Sequence, residues 1–241
     1  MLPLVHPAAR AQAQTRPVTL LVWHDIVSRD KLVWFDTTER EFDAQLNRLS
    51  RAGIHPITLD ALYNYLANGT PAPPPGAAVL CFDDNTVGIR DFAVDRLIRL
   101  GWPFALSAHT AYVGVTTGKA HNTWDDLRQM QTQGATIVSQ THTHPPDLRD
   151  LAPAALSREM TKSRQLMTNA LGRAPRFVTY PSGKWNGRIA EAAQKAGYQL
   201  GLTEDNGAAQ TSPHLLGIHR YSTHKRFAEA ITSIAHASGK R

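Results

Sequence analysis

The sequence predicts an α/β domain on a parallel sheet, open or closed into a barrel. Short apolar, β-prone runs alternate with helix-like stretches from residue 18 to residue 236, caps and glycines punctuate them, and polar side chains gather where the apolar runs end. In open α/β sheets and α/β barrels, that end of the strands is where sites form.

The elements follow in order. Val18–Val22 is a first strand, running into Trp23-His24-Asp25. Thr38 and Glu41 have capping-box spacing and open a helix to Ala52, which Gly53 stops. Residues 59–68 form a second helix, and Pro71-Ala72-Pro73-Pro74-Pro75-Gly76 is a stiff spacer. Ala77–Phe82 is a strand ending in Asp83-Asp84-Asn85, Gly88–Leu100 a helix and Phe104–Ala108 a strand. Thr123 caps a helix with Asp125 and Asp126 in its first turn, where carboxylates suit the dipole. A strand at 135–139 leads into Gln140-Thr141-His142-Thr143-His144, and a helix over 153–171 is stopped by Gly172. Arg176–Tyr180 is a strand ending in Tyr180-Pro181-Ser182-Gly183. A helix over 186–196, strands over 199–203 and 215–220, and a helix over 225–236 complete the chain. No internal repeat occurs.

Lys+Arg 26 against Asp+Glu 20 leaves a net charge of +6 beside 11 His, and with 42% apolar and 19% charged residues the chain is neither a disordered polyelectrolyte nor a coiled coil. The basic residues are scattered, which speaks against a nucleic-acid partner. No apolar stretch approaches the roughly 20 residues that span a bilayer. A lone Cys81 excludes an intramolecular disulfide and a thiolate zinc site, so any metal must be held by His, carboxylate or amide oxygen. Residues 1–16 read as a flexible leader or the remnant of an export signal, with Ala11-Gln12-Ala13 resembling a peptidase site, and residues 17–241 as a single catalytic domain. The expected compartment is the periplasm or the cell exterior, with the cytoplasm open, and the expected state is a monomer.

Neighbouring side chains diverge at a strand end, so one of two adjacent aspartates can bind a metal while the other faces a water. Alone, Asp83 and Asp84 read better as caps of the helix near Gly88; paired with the histidine segment, they read as chemistry. In a helical turn Gln140 and His144 would share a face and His142 would point away, whereas an extended segment would put all three on one side.

Cys81-Phe82-Asp83-Asp84-Asn85 resembles the TFDDG motif of the polysaccharide deacetylase family (NodB homology, carbohydrate esterase). Gln140 to His144 resembles its His-[Ser/Thr]-x-x-His metal motif, and Arg176 to Gly183 its Arg-x-x-x-Tyr-Pro-x-Gly loop. Val22-Trp23-His24-Asp25-Ile26 and Trp124-Asp125-Asp126-Leu127 are similar to segments of the poly-β-1,6-N-acetylglucosamine deacetylase branch. The resemblance spans roughly residues 18–236 in order, and several motifs together are more specific than any one. It implies a distorted (β/α) barrel and removal of N-acetyl groups from an N-acetylglucosamine polysaccharide. It further implies a divalent metal, zinc first and nickel or cobalt as alternatives, that polarises the carbonyl and acidifies a water. Asp83 would be the general base, Asp84 and His144 metal ligands with Gln140 in the place of the family's first His, and His24 the general acid, oriented by a neighbouring carboxylate. Tyr180, or the amide after its strand, would help bind the oxyanion.

The departures from the family pattern matter. A neutral amide oxygen is a poorer ligand than imidazole for a borderline-soft ion, so Gln140 implies a weaker or different metal, substitution by His142, or a catalytically weakened carbohydrate-binding homologue. Asn85 replaces Gly, and Asn tolerates positive φ. His219, near the end of a late strand, competes with His24 for the acid role. Asp25, Asn85, Trp185 and His219 are candidate substrate contacts; Trp185 and Trp34 could stack on sugar rings, Trp102 and Trp124 belong to the core, and His109 and His121 flank the groove. His55, His214, His224 and His236 read as solvated. A related hydrolase acting on a small cyclic amide or an O-acetyl ester is a third reading.

Overall fold

The computed structural model of the protein describes residues 16–239. Of the leader expected over residues 1–16, all but Arg16 lies outside the described residues. The strands of the main sheet are β1 (Thr19–Trp23), β2 (His55–Pro56), β3 (Ala77–Phe82), β4 (Phe104–Ala108), β5 (Thr136–Ser139), β6 (Phe177–Thr179), β7 (Leu200–Leu202) and β8 (Tyr221–Ser222). The helices are α1 (Glu39–Ala52), α2 (Leu59–Asn68), α3 (Asp95–Leu100), α4 (Trp124–Thr132), α5 (Pro153–Leu171), α6 (Gly187–Lys195) and α7 (Thr223–Ser238).

The sheet order is β7-β6-β5-β4-β3-β1-β8, with β2 on the start of β3, and every pair is parallel. Parallel strands covered on both faces read as continuous apolar runs, and β1, β3 and β4 are buried along their whole length. Alternate side chains point opposite ways. Leu21, Trp23, Leu80 and Phe82 pack outward against Phe42 and Leu46 of α1 and Ala230 and Ile234 of α7. Leu20, Val22, Val79, Cys81, Ala105, Val138, Phe177, Leu200 and Leu202 meet in one inner cluster, so the sheet curls into the distorted barrel that the family resemblance implies. Leu59, Leu62 and Tyr65 of α2 join that cluster beside Val18 and Ala77 and close the mouth at the strand starts. The opposite mouth is left for the site.

The predicted caps form. Thr38 Oγ1 accepts from the Glu41 amide while the Glu41 carboxylate accepts from the Thr38 amide, and Gly53 ends α1 with φ 78°. Thr123 and Asp126 make the same box on α4. Two expectations are corrected. The helix over Gly88–Leu100 begins as a π-helical turn, Ile89–Val94, before α3. The strand expected over 215–220 is divided, because its first half pairs with one sheet edge and the residues after it with the other. Gly201 N–H donates to Leu215 O, Ile218 N–H to Gly201 O and Thr203 N–H to Ile218 O, after which Tyr221 and Ser222 pair with Leu21 and Val22. Segment 215–222 is thus the seam of the barrel. Gly217 sits in it because a Cβ there would lie 2.5 Å from the Trp185 ring.

Arg220 locks the seam. Its side chain is 0% exposed; Nη1 and Nη2 donate to the two Asp83 carboxylate oxygens at 3.0 and 2.8 Å, and Nε donates to Thr203 O at 2.7 Å. Removing one partner of a buried pair strands the other, at a cost of about 3–5 kcal/mol. Arg220→Met is therefore expected to lower the melting temperature by on the order of 10 °C for a domain of this size, read by calorimetry. Adding Asp83→Asn to that variant should recover part of the loss, because no buried charge is then left unpaired.

Candidate active site

The site lies where β1, β3, β5, β6 and β7 end. After Phe82 the chain turns through Asp84 (φ 71°) and Asn85 (φ 55°), a left-handed conformation that L-residues adopt at a cost. Asn122 holds it: its Nδ2 donates to Thr86 O, and Asn85 Nδ2 donates to Asn122 O. This turn sends Asp83 toward Arg220 and Asp84 toward the opposite side of the cleft.

Residues 140–144 are neither helical nor extended. Thr141 and His144 have φ of 65° and 52°, and the Glu159 carboxylate accepts the amides of His142 and Thr143, fixing the loop. Gln140 and His144 consequently meet Asp84, and His142 turns away, its Nδ1 2.9 Å from Thr110 Oγ1. His144 Nε2 is 3.7 Å from Asp84 Oδ1. Gln140 grips Asp84 at two points: its Oε1 accepts the Asp84 amide and its Nε2 donates to Asp84 Oδ1, both at 2.9 Å. Burial opposes ionisation of Asp84, but the charges of His24 and His144 and the Gln140 N–H hold its carboxyl below the usual range.

Across the cleft, His24 Nε2 is 3.5 Å from Glu204 Oε1, and donor atoms of His24, Asp83 and Glu204 all lie within 4.8 Å of one another. Burial disfavours protonation of His24, yet contact with Glu204 and the charges of Asp84 and Asp83 raise its pKa. Glu204, with His24 as the main cause, is pushed down to about 2. The acid and base candidates therefore adjoin, with Asp83 held by a cation and His24 by an anion.

Two cavities, of about 380 and 260 Å³, share His24, Phe35, Asp84 and His144. The larger is also lined by His109 and His121; burial, then His144, pushes His109 down to about 4, so it is a neutral imidazole near neutral pH. The smaller is also lined by Asp83, Gln140, Ser182 and Glu204. Ser182 has φ 54°, and while Gly183 and Lys184 amides fold back onto Tyr180 and Pro181 carbonyls, no acceptor stands opposite the Ser182 amide among the described residues. Gly183 has to be glycine, because a Cβ would lie 2.4 Å from Glu204 Cβ.

Asp84 and His144 suit a divalent cation: a carboxylate and an imidazole nitrogen face one another across a polar cavity. Gln140 does not join them as arranged, since its oxygen is engaged by a backbone amide and it presents N–H to Asp84.

Several other candidates fall elsewhere. Tyr180 is fully buried and its hydroxyl donates to Leu216 O, so its side chain does not reach an oxyanion. His219 Nδ1 contacts Thr211 Oγ1 and lies outside both cavities; Arg220, its neighbour, is the residue that points in. Asn85 is 1% exposed and committed to Asn122. Asp25 borders the larger cavity, but its oxygens take Thr86 Oγ1 and Lys119 Nζ. Trp185 stacks on Tyr180 at 10° and donates to Asp205, a wall beside the site rather than within it. His224 is not simply solvated: its ring is 5.8 Å from that of His24 and it lines the smaller cavity. Sequence reasoning gave no role to Arg220, and named the amide after the Tyr180 strand without assigning it to Ser182. Arg220 carried no signal beyond adjacency to His219, whereas Ser182 stood inside a quoted motif.

A model of the polysaccharide deacetylase family matches residues 70–201. YxkH of Bacillus subtilis (strain 168), assigned to the polysaccharide deacetylases, is 28% identical over 202 residues, covering 83% of this chain and 69% of its own. Among solved structures, IcaB from Ammonifex degensii superposes with a TM-score of 0.80 at 18% identity, covering 91% of this chain and 97% of that one. Streptococcus pyogenes deacetylase PplD, solved with acetate, gives 0.76 at 23% identity, covering 85% and 91%. These likenesses establish the fold, and the family match, over more than half of the chain, makes it a member of the polysaccharide deacetylase family.

Proposed function

We propose that this protein removes N-acetyl groups from an N-acetylglucosamine-containing polysaccharide, with poly-β-1,6-N-acetylglucosamine as the favoured class. The observation that carries the reading is the convergence of Asp83, paired with Arg220, and His24, whose pKa is raised by contact with Glu204, on a cleft lined by Asp84, His144 and Ser182. Such opposed environments are how a site sets a base beside an acid.

The reaction needs a water activated, a carbonyl oxygen stabilised and an amine protonated. Arg220 occupies one lone-pair direction on each Asp83 oxygen, leaving others toward the cleft to take a proton from the attacking water. The Ser182 N–H would donate to the oxyanion as the carbonyl becomes tetrahedral. His24 then gives its proton to the departing sugar amine, the C–N bond breaks, and acetate leaves. Asp84 and His144 would hold a divalent metal, zinc first, which when bound polarises the acetyl carbonyl and acidifies the water. A glycan substrate accords with a periplasmic or extracellular, monomeric enzyme.

The Gln140 carboxamide favours a second reading, a carbohydrate-binding homologue with weakened catalysis, because it supplies no third metal donor as arranged. Acetate release from N-acetylglucosamine oligomers with and without added zinc separates the two. Asp83→Asn, compared at a temperature where calorimetry shows the variant folded despite the unpaired Arg220, should reduce that release by on the order of 10²–10⁴-fold with sugar binding retained. If the protein only binds, wild type and variant will release equally little.

Glu204→Gln removes a group that raises the His24 pKa. The basic limb of the pH–rate profile, where the acid loses its proton, is expected to move to lower pH, with the acidic limb less affected. Gln140→His is expected to raise zinc affinity by at least about tenfold in calorimetric titration, since an imidazole replaces an engaged amide.

A further inference from the structure

On the reading above, we propose that Trp34 is the stacking platform for a sugar ring next to the one being deacetylated, so that the protein selects oligomers over single sugars. Isolated exposed apolar side chains are ordinary on protein surfaces. Trp34 differs in three ways that can be read from its surroundings.

It borders the catalytic cavity. Trp34 lines the same space as His24, Asp83, Asp84 and His144, although its side chain belongs to a residue that is 65% exposed. The indole is therefore continuous with the cleft yet available to a ligand extending out of it.

It is held in place. Asp36, 1% exposed, accepts the amides of Leu32 and Val33 through Oδ2 at 3.0 and 3.1 Å, and its other oxygen pairs with Lys119. The Asp36 amide closes back onto Val33 O. The indole is braced edge-on by His224 at 4.7 Å and Phe35 at 5.4 Å. A large aromatic fixed before binding loses little conformational entropy when a partner arrives.

Its surroundings fit a pyranose ring, which has an apolar C–H face and polar hydroxyls. Lys225 Nζ lies 4.5 Å over the indole and also lines the cavity, so a hydrogen-bond donor stands beside the aromatic surface. His224 links the indole to the reacting end, its ring touching those of both Trp34 and His24. A sugar on Trp34 would therefore lie two ring contacts from the acid.

The test compares wild type, Trp34→Ala and Trp34→Tyr on an N-acetylglucosamine pentamer and on the monomer, by acetate release and by calorimetric binding. Trp34→Ala is expected to raise KM and Kd for the pentamer at least tenfold with kcat within twofold, to leave the monomer unchanged, and to keep the wild-type melting temperature. Trp34→Tyr should recover most of the loss. Equal pentamer affinity for wild type and Trp34→Ala overturns the platform alone, as does an equal loss on the monomer. So does binding to anionic phospholipid vesicles that needs Trp34 while the pentamer does not, which would make Leu32 and Trp34 a membrane contact. A wild type that neither binds nor deacetylates the pentamer overturns the reading of the whole site, and the platform with it.

Discussion

The ion pair between Asp83 and Arg220 is the constraint on which the rest of the molecule turns. The two residues lie 137 positions apart, at the end of β3 and in the seam that joins both sheet edges, and both are buried. A buried pair of this kind is not strong evidence for stability as such, because desolvation offsets most of the attraction. What it does supply is registration: a two-point fork fixes both the distance and the plane of the groups it joins. Here that fork sets the aspect of the carboxylate presented to the cleft, so closure of the barrel and orientation of the candidate base are one event.

The opposite side of the cleft has a different logic. Asp84 is kept ionised by two imidazoles and by the Gln140 amide, which makes the same two-point grip on backbone and side chain that a fork makes on a carboxylate. This grip holds the left-handed turn at Asp84, because the Gln140 oxygen satisfies the turn's own N–H. An imidazole at 140 would have to give up one of the two contacts, so the residue that loosens a cation site is also the one that stabilises the turn.

Much of this was legible in the sequence because it rests on local rules. Caps at Thr38 and Thr123, glycine stops and the placement of Asp83, Asp84, Gln140 and His144 at strand ends all follow from short-range pattern. The fate of His142 was not, because it depends on left-handed residues at Thr141 and His144 and on Glu159, contributed from a helix further along the chain. The strand expected over 215–220 failed for a related reason: an apolar run states that a segment is buried, not that it pairs with two edges in succession. Arg220 and Glu204 acquire meaning only from the carboxylate and imidazole they meet across the barrel. Tyr180 shows the converse, a motif residue whose side chain is structural while Ser182, two positions on, lines the cleft.

These long-range partners divide the labour of the cleft in a way that composition could not reveal. Polar atoms of Asp83 and His24 lie within 4.8 Å of one another, close enough to interact directly. Each is also engaged by a second partner of opposite charge, the buried Arg220 for the carboxylate and the more exposed Glu204 for the imidazole. A four-membered alternation of basic and acidic groups results, Arg220-Asp83-His24-Glu204. In the proposed reaction Asp83 would take its proton beside a fixed cation, and His24 would give one up beside a fixed anion. The seam of the barrel, through Arg220, is the element that makes this alternation rigid.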